Sequence, residues 1–171
     1  GVKFFSLSED IQIDAEQIRF SNVSFSSLPQ ESCQRAYYKV ERFNSNFVLP
    51  KNSFVVPINQ TQARIIIHTL EPESSASLVS WGFFNSIFER KEYAEVYIIE
   101  KIAKKMIEEN PSLLTEFNEA KKKDPEFFNQ PYNAVNWFYE KSPWYDTKHN
   151  LYPILFIKSE ENLNKLESVK K

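Results

Sequence analysis

The chain has 171 residues, of which 42% are hydrophobic, 15% aromatic and 26% charged, and its formal net charge is -2. A chain of this length can bury about two-thirds of its unfolded surface in a core. Its slightly acidic balance offers no attraction for nucleic-acid phosphates or anionic membranes, so we expect neither partner. No run of about 18 apolar residues that could span a bilayer is present. The chain starts with Gly1 rather than Met, which is typical of an excised segment of a longer protein.

Residues 1–74 favour β-strands. Runs of β-branched and aromatic residues alternate there with turn residues, and these runs are QIRFSNVSFSS, SCQRAYYKVERF, NFVLP, SFVVPIN and ARIIIHTL. Turn signals at 44–46, 50–52 and 59–60, built from Asn, Ser, Pro, Lys and Gln, separate several of the runs. The spacing predicts an antiparallel meander or a β-sandwich-like sheet.

Residues 75–109 change to a helical period. Ser75 or Ser77 is a candidate N-cap for a helix whose apolar positions run from Leu78 to Phe88. Residues 93–109 then place their apolar side chains on one stripe and their charges on the other face. The pattern predicts an amphipathic helix that packs against another part of the chain.

The remaining residues predict two further helices and a strand. Asn110-Pro111 and Asp124-Pro125 each combine a capping residue with a proline, so a helix should start at each, and Pro131 should disturb the second. Residues 151–157 look extended and are expected to return to the sheet, followed by a fraying polar tail at 158–171. The expected domains are a β-rich half at 1–74, a helical half with a closing strand at 75–157, and the tail.

One short motif raises the question of zinc. His68 and Glu71 have the H-x-x-E spacing of two zinc ligands in carboxypeptidases. His68 ends an apolar run that we expect to be a strand, in which side chains three residues apart point to opposite faces about 10 Å apart. Pro72 also favours an extended Glu71, and no third ligand is evident because His149 is 81 residues away. We therefore favour a structural pair over a zinc site.

Other residues that carry chemistry also favour structural roles. Cys33 is the only cysteine, so no internal disulfide forms, and we expect a buried, inert thiol. Two glycines cannot build a phosphate-binding loop. We expect Glu71 and Glu73 to cap the following helix or to pair with an arginine.

The segment from Trp137 to Tyr152 is unusually rich in aromatic residues. Its aromatic side chains are too many for one helix face to bury, and they include Trp137 and Trp144. They can form core, a docking patch or a platform for sugars. We expect core first, a docking patch second and a sugar platform third.

The stretch from Arg64 to Pro153 resembles a known family. Its residues LEPESSASLVSWGFFNSIFERKEYAEVYIIEKIAKKM, FYEKSPWYD and NLYP are similar to the C-terminal region of large secreted bacterial carboxypeptidase A-like zinc peptidases. YYKVERFNSNFVLPKNSFVVPINQTQARIIIH extends the likeness less specifically. In that family the zinc ligands and the catalytic glutamate belong to an N-terminal domain that this chain does not contain, so none of them is transferred here.

The resemblance implies a non-catalytic accessory region. It would stabilise an upstream zinc carboxypeptidase domain of the same exported polypeptide or shape access to its cleft, and zinc would belong to that domain and not to this chain. Trp81, Phe84, Trp137 and Trp144 are the candidate anchors, and Glu71 and Glu73 are candidate surface residues. The alternative is a module that binds carbohydrate or cell-wall peptide. A free-standing metallopeptidase is the least favoured hypothesis.

Overall fold

The computed structural model describes residues 1–89 and 96–171 of the chain. Within them lie four strands, six α-helices and one short 3-10 helix. In chain order they are β1 (Phe5–Ser6), β2 (Ile11–Phe25), β3 (Ala36–Leu49), β4 (Phe54–Val55), α1 (Ala63–Leu70), the 3-10 helix (Asn85–Ile87), α2 (Val96–Glu109), α3 (Ser112–Lys123), α4 (Pro125–Phe128), α5 (Pro131–Glu140) and α6 (Glu160–Ser168). The chain is therefore α+β.

The elements belong to two compact units. The first comprises Gly1–Glu89 and Lys148–Lys171, and the second is Arg90–Thr147. The boundary predicted between residues 74 and 75 lies inside the first unit, because Val79 and Phe84 still pack against β2. None of the helices in the described ranges is long and apolar enough to cross a membrane.

The sheets are smaller than predicted. In the described ranges β1 pairs with β4 and β2 with β3, each as an antiparallel two-stranded sheet, so a β-sandwich is not confirmed. The turn predicted at residues 44–46 is wrong, because these residues lie within β3. The side-chain amide of Asn46 donates to Asp14 at 2.8 Å and accepts from Gln12, which holds this polar stretch on β2.

Strand β2 buries different faces along its length. Ile13 and Ala15 join Phe5, Leu7 and Leu166 in one apolar cluster. Ile18 and Phe20 join a second cluster with Val79 and Tyr152. Because side chains alternate between the two faces of a strand, the odd-numbered and even-numbered residues point in opposite directions. The long β2–β3 hairpin is thus covered on one face near its open end and on the other face nearer its turn.

The run ARIIIHTL forms helix α1 and not the predicted strand. Successive residues of a helix are rotated by about 100°, and accordingly Ile66 is buried whereas Ile65 and Ile67 are exposed. The helix ends at Leu70, and the extended backbone of the following Glu71 agrees with the expected influence of Pro72. The β-branched run misled the prediction because tertiary burial of one face outweighed its strand propensity.

The helix predicted from residue 75 is also wrong, because residues 75–84 form turns that lead into the 3-10 helix. Serines of this segment bond locally. The candidate N-cap Ser77 accepts from the Ser80 N–H through its Oγ at 3.0 Å, and the neighbouring Ser74 Oγ accepts from the Ala76 N–H at 3.3 Å. Such local hydrogen bonds compete with a regular helix.

The helix starts predicted in the second unit are confirmed. Helix α3 follows Asn110-Pro111, and α4 begins at Pro125 with the Asp124 carboxylate accepting from the Phe127 N–H at 3.0 Å. Helix α5 begins at Pro131, so this proline does divide the helical segment. Helix α2 ends at Glu109 as predicted, whereas residues 93–95 of that prediction lie outside the described ranges. Ile99, Leu113, Phe138 and Tyr139 form the core of this unit.

The C-terminal part of the first unit returns to β2. The segment predicted as a strand pairs through two isolated bridges, Leu151 with Arg19 and Phe156 with Glu16. The predicted fraying tail is wrong, since residues 160–168 form α6, and Ser159 Oγ caps the helix by accepting from the Asn162 N–H. Leu166 is buried in the first cluster, and Asn162 donates to the Asp14 carbonyl at 2.8 Å.

We predict that Leu166→Ala lowers the free energy of unfolding by roughly 2–5 kcal/mol, because it empties a buried site. The matched control is Leu163→Ala on the exposed face of the same helix, which should change stability by less than about 0.5 kcal/mol. Urea unfolding monitored by circular dichroism measures both. Equal, small effects would mean that α6 is not part of the core.

Candidate functional site

Glu71 and Glu73 lie at one charged cluster on the first unit. The Arg42 guanidinium on β3 donates to both carboxylates, at 2.7 Å for Glu73, and also to Glu16 on β2 at 2.9 Å. Glu16 additionally accepts from Lys158 at 2.9 Å. The predicted pairing of the two glutamates with an arginine is therefore confirmed, and the cluster joins both strands to the loop after α1.

The protonation of this cluster follows from its contacts. Burial acts to lower the pKa of Arg42, but hydrogen bonds to Glu73, Glu16 and Glu71 together raise that pKa above its ordinary value. The hydrogen bond from Lys158 lowers the pKa of Glu16, and the hydrogen bond from Arg42 acts in the same direction. Both groups are held in their charged forms, which suits a structural ion-pair network rather than proton transfer.

His68 and Glu71 contact different side chains. They lie at the end of α1 rather than on a strand, so the strand geometry used against zinc was wrong. The Glu71 carboxylate is engaged by Arg42, and His68 Nδ1 lies 3.3 Å from Ser74 Oγ. Within the described ranges no three His, Cys, Asp or Glu side chains are grouped as a metal site would require.

Trp81 is half-buried beneath an arginine of its own unit. The Arg35 guanidinium carbon lies 4.2 Å from the centre of the Trp81 ring, a cation–π contact. Gly82 follows Trp81 and has a φ of +82°. An added Cβ at Gly82 would lie 2.4 Å from the Gln34 carbonyl oxygen, so this chain itself makes the close approach that glycine permits.

The other predicted aromatics have different environments. Phe84 is partly buried and packs against the second cluster, with its ring centre 5.4 Å from that of Tyr152. Trp137 packs edge-on against Phe117 in the second unit, whereas Trp144 of the same unit is 57% exposed. Only Trp144 of these three offers a largely free aromatic surface.

An open cleft of about 830 Å³ is lined by residues from both ends of the first unit's sequence and from the segment 57–62. Three large apolar side chains at or next to the cleft are exposed: Phe4 by 63%, Phe54 by 73% and Ile58 by 60%. The rings of Phe4 and Phe54 meet edge to face, with centres 5.5 Å apart. We call the three residues the apolar patch; adjoining large exposed apolar side chains are typical of interaction sites.

The backbone of the cleft is held by pairing between segments that are distant in the chain. Strand β1 pairs with β4, which places Phe5 opposite Val55. The Gln60 side chain accepts from the Lys3 N–H at 2.7 Å and donates to the Lys3 carbonyl at 3.0 Å. The Lys171 N–H donates to the Ser6 carbonyl at 2.8 Å, so the C-terminus closes the other side.

Charged side chains also line the cleft. Lys3, Glu167 and Lys170 line the cleft together with the patch residues Phe4 and Ile58. Lys170 Nζ lies 3.4 Å from the Glu167 carboxylate and 4.7 Å from the centre of the Phe5 ring. The rim is thus weakly basic, and the cleft lining includes no histidine, cysteine or aspartate.

The sequence interpretation missed this surface. Phe4 and Phe54 stand in the short apolar runs KFF and SFVV, which were interpreted as ordinary strand residues or left aside. The available signal was the pair of adjacent aromatic residues Phe4 and Phe5 in a short apolar run. Comparison with family models, with curated proteins and with solved structures finds no match for the chain.

We predict that the ion-pair cluster makes stability fall in acid. The folded chain keeps Glu16 ionised below the ordinary pKa of 4.5, so the unfolded chain takes up the proton first. The stabilising effect is complete above pH 4.5 and is lost as the pH falls through the lowered pKa. Glu16→Gln should be less stable than the wild type at neutral pH, and this difference should shrink in acid.

Thermal unfolding over a pH series measures the effect. Glu31→Gln, at an exposed turn, is the matched control and should follow the wild-type curve. A Glu16→Gln difference that is independent of pH would contradict the assignment.

Proposed function

We propose that the chain is a non-catalytic accessory region that docks onto a partner domain through the apolar patch. The observation that carries the proposal is the exposure of Phe4, Phe54 and Ile58 together beside a cleft with a charged rim. Interfaces concentrate their energy in a few aromatic anchors that are surrounded by polar residues. The edge-to-face arrangement of the two rings fits an apolar anchor better than a flat platform for sugars.

The partner that we propose is a zinc carboxypeptidase domain preceding Gly1 in an exported polypeptide. The resemblance of residues 64–153 to the C-terminal region of such enzymes motivates this choice. Gly1 itself lines the cleft, so a domain joined ahead of it would be tethered beside the apolar patch. Tethering raises the effective concentration of the partner surface, so that even a small interface can stay bound. Zinc would belong to that domain.

The first test reads the gene upstream of the Gly1 codon. A zinc peptidase domain encoded there is the expected result, and its absence would reject this parent enzyme. Binding of the separately produced peptidase domain to the 171-residue chain is then measured by isothermal titration calorimetry.

We predict that Phe54→Ser weakens this binding about 30-fold or more, which corresponds to the roughly 2 kcal/mol of an interface anchor. The chain should stay folded, because Phe54 is largely exposed. Leu28→Ser, at an equally exposed apolar residue outside the apolar patch, is the matched control and should not alter the affinity. Equal effects of the two substitutions would show that the apolar patch is not part of the interface.

The second candidate function is a module that binds cell-wall peptide or carbohydrate, which the exposure of Trp144 favours. An indole ring free on one side can stack on a sugar or on an apolar peptide side chain. Trp144→Ala should then reduce co-sedimentation with purified peptidoglycan about tenfold, the equivalent of about 1.4 kcal/mol.

The control for Trp144 is Leu114→Ala, at an exposed apolar residue of the same unit. It should retain wild-type binding. If the wild-type chain does not co-sediment with peptidoglycan or with other insoluble polysaccharides, this second function is excluded.

A further inference from the structure

The outer edge of β3 is an unpaired strand edge. On β2, the backbone groups of Glu16, Ile18 and Phe20 face the segment 150–156, with which they hydrogen-bond at 2.8–2.9 Å. The backbone groups of the intervening β2 residues therefore face β3. The cross-strand register then assigns which β3 residues face β2 and which face outward.

The register pairs Gln17 with Phe43 and Arg19 with Glu41, so these β3 residues face β2. The β3 residues that face outward are Tyr38, Val40, Arg42, Asn44, Asn46 and Val48. In the described ranges, none of their backbone N–H or C=O groups has a hydrogen-bond partner. The edge opens just after Ala36, whose N–H donates to the Ser80 carbonyl at 3.1 Å.

This edge carries the charged residues Lys39, Glu41 and Arg42, but it lacks the proline, the short length and the central bulge that protect many free strands. Strand β3 has 14 residues and no proline, and its pairing with β2 runs without a register shift from Lys39 to Leu49. Phe43 is 38% exposed at the middle of the open stretch. A long, regular edge with exposed apolar side chains is a template for pairing with another strand.

We propose that the outer edge of β3 pairs with the same edge of a second copy of this chain, in an antiparallel two-fold dimer centred on Phe43. This inference is independent of the apolar patch and of the proposed function. The open stretch from Tyr38 to Val48 has Phe43 at its midpoint. In the register centred there, every outward-facing residue lies opposite another outward-facing residue, whereas any other antiparallel register leaves some of them unpaired.

The side chains of this register are compatible. Arg42 of one copy lies opposite Asn44 of the other, and Glu41 lies opposite Ser45. Phe43 lies opposite its own counterpart at the two-fold axis, as a cross-strand aromatic pair. No two like charges face each other, whereas a register centred on Arg42 would place two arginines opposite. The self-complementary edge is what a two-fold, isologous contact requires.

Disulfide trapping tests the register. Phe43 faces β2, so in the dimer it forms a pair without main-chain hydrogen bonds, with Cα atoms about 4.5 Å apart. That separation lies within the range of a disulfide. In a Cys33→Ser background, Phe43→Cys should give a covalent dimer when oxidised glutathione accepts the two electrons of the paired thiols.

The matched control is Asn46→Cys in the same background. In the proposed register, position 46 of one copy lies six residues along the strand from position 46 of the other, or about 20 Å away. The two cysteines should therefore not cross-link. Cross-linking at least tenfold faster from position 43 than from position 46 supports the proposal. Equal rates, or no cross-linking from position 43, would overturn it.

A charge exchange at position 43 tests the same contact without covalent chemistry. Phe43→Lys places like charges at the two-fold axis and should weaken the dimer at least tenfold in sedimentation velocity, as should Phe43→Glu. An equimolar mixture of the two variants should restore the dimer, because opposite charges then meet. A wild-type chain that stays monomeric at every soluble concentration, or a mixture that does not recover, would overturn the proposal.

Discussion

Burial of both faces of β2 is the constraint on which the first unit depends. Because β2 turns Ile13 and Ala15 to one side and Ile18 and Phe20 to the other, separate segments must cover each face. Helix α6 covers the first face, and the turns after α1 cover the second. The C-terminal helix and these turns are therefore parts of the core and not appendages.

At the point where β2 changes its buried face, buried polar groups need hydrogen-bond partners. Gln17 is buried there, and its side-chain amide donates to the Tyr152 carbonyl at 3.1 Å. Tyr152 is fully buried, its hydroxyl donates to the Leu70 carbonyl at 2.8 Å, and burial raises its pKa. A buried polar group left unpaired costs about 1–3 kcal/mol. These two hydrogen bonds therefore permit β2 to change its buried face at this point, and they also join α1 to β2.

The same arrangement decides which surfaces stay open. Strand β2 has β3 on one side and the segment 150–156 on the other, so β3 becomes the outer strand. The β1–β4 sheet is very short, and within the described ranges no neighbouring strand of it covers the side chains of Phe4 and Phe54. The apolar patch therefore stays exposed. The acidic side chains around Arg42 are occupied by the ion-pair network. The apolar patch and the outer edge of β3 are therefore among the surfaces that this arrangement leaves open.

The sequence by itself determined the local elements of the second unit and the α+β class. The helix starts at Asp124-Pro125 and Pro131 were predictable because caps and prolines act within one turn of the chain. It also indicated that Glu71 and Glu73 pair with an arginine. Their partner Arg42 lies 29 and 31 residues away in the chain, so its identity depends on the fold.

The tertiary structure decided α1, the turns after it, α6 and the cleft. Helix α1 was missed because a run of three isoleucines favours a strand locally, whereas the fold needs only Ile66 buried. Helix α6 was missed because a polar segment with one buried leucine has little apolar periodicity of its own. The cleft combines residues near 1–5, 57–62 and 167–170, which no local pattern connects. Burial and long-range pairing depend on the whole chain, and those energies exceed the propensity of any short segment.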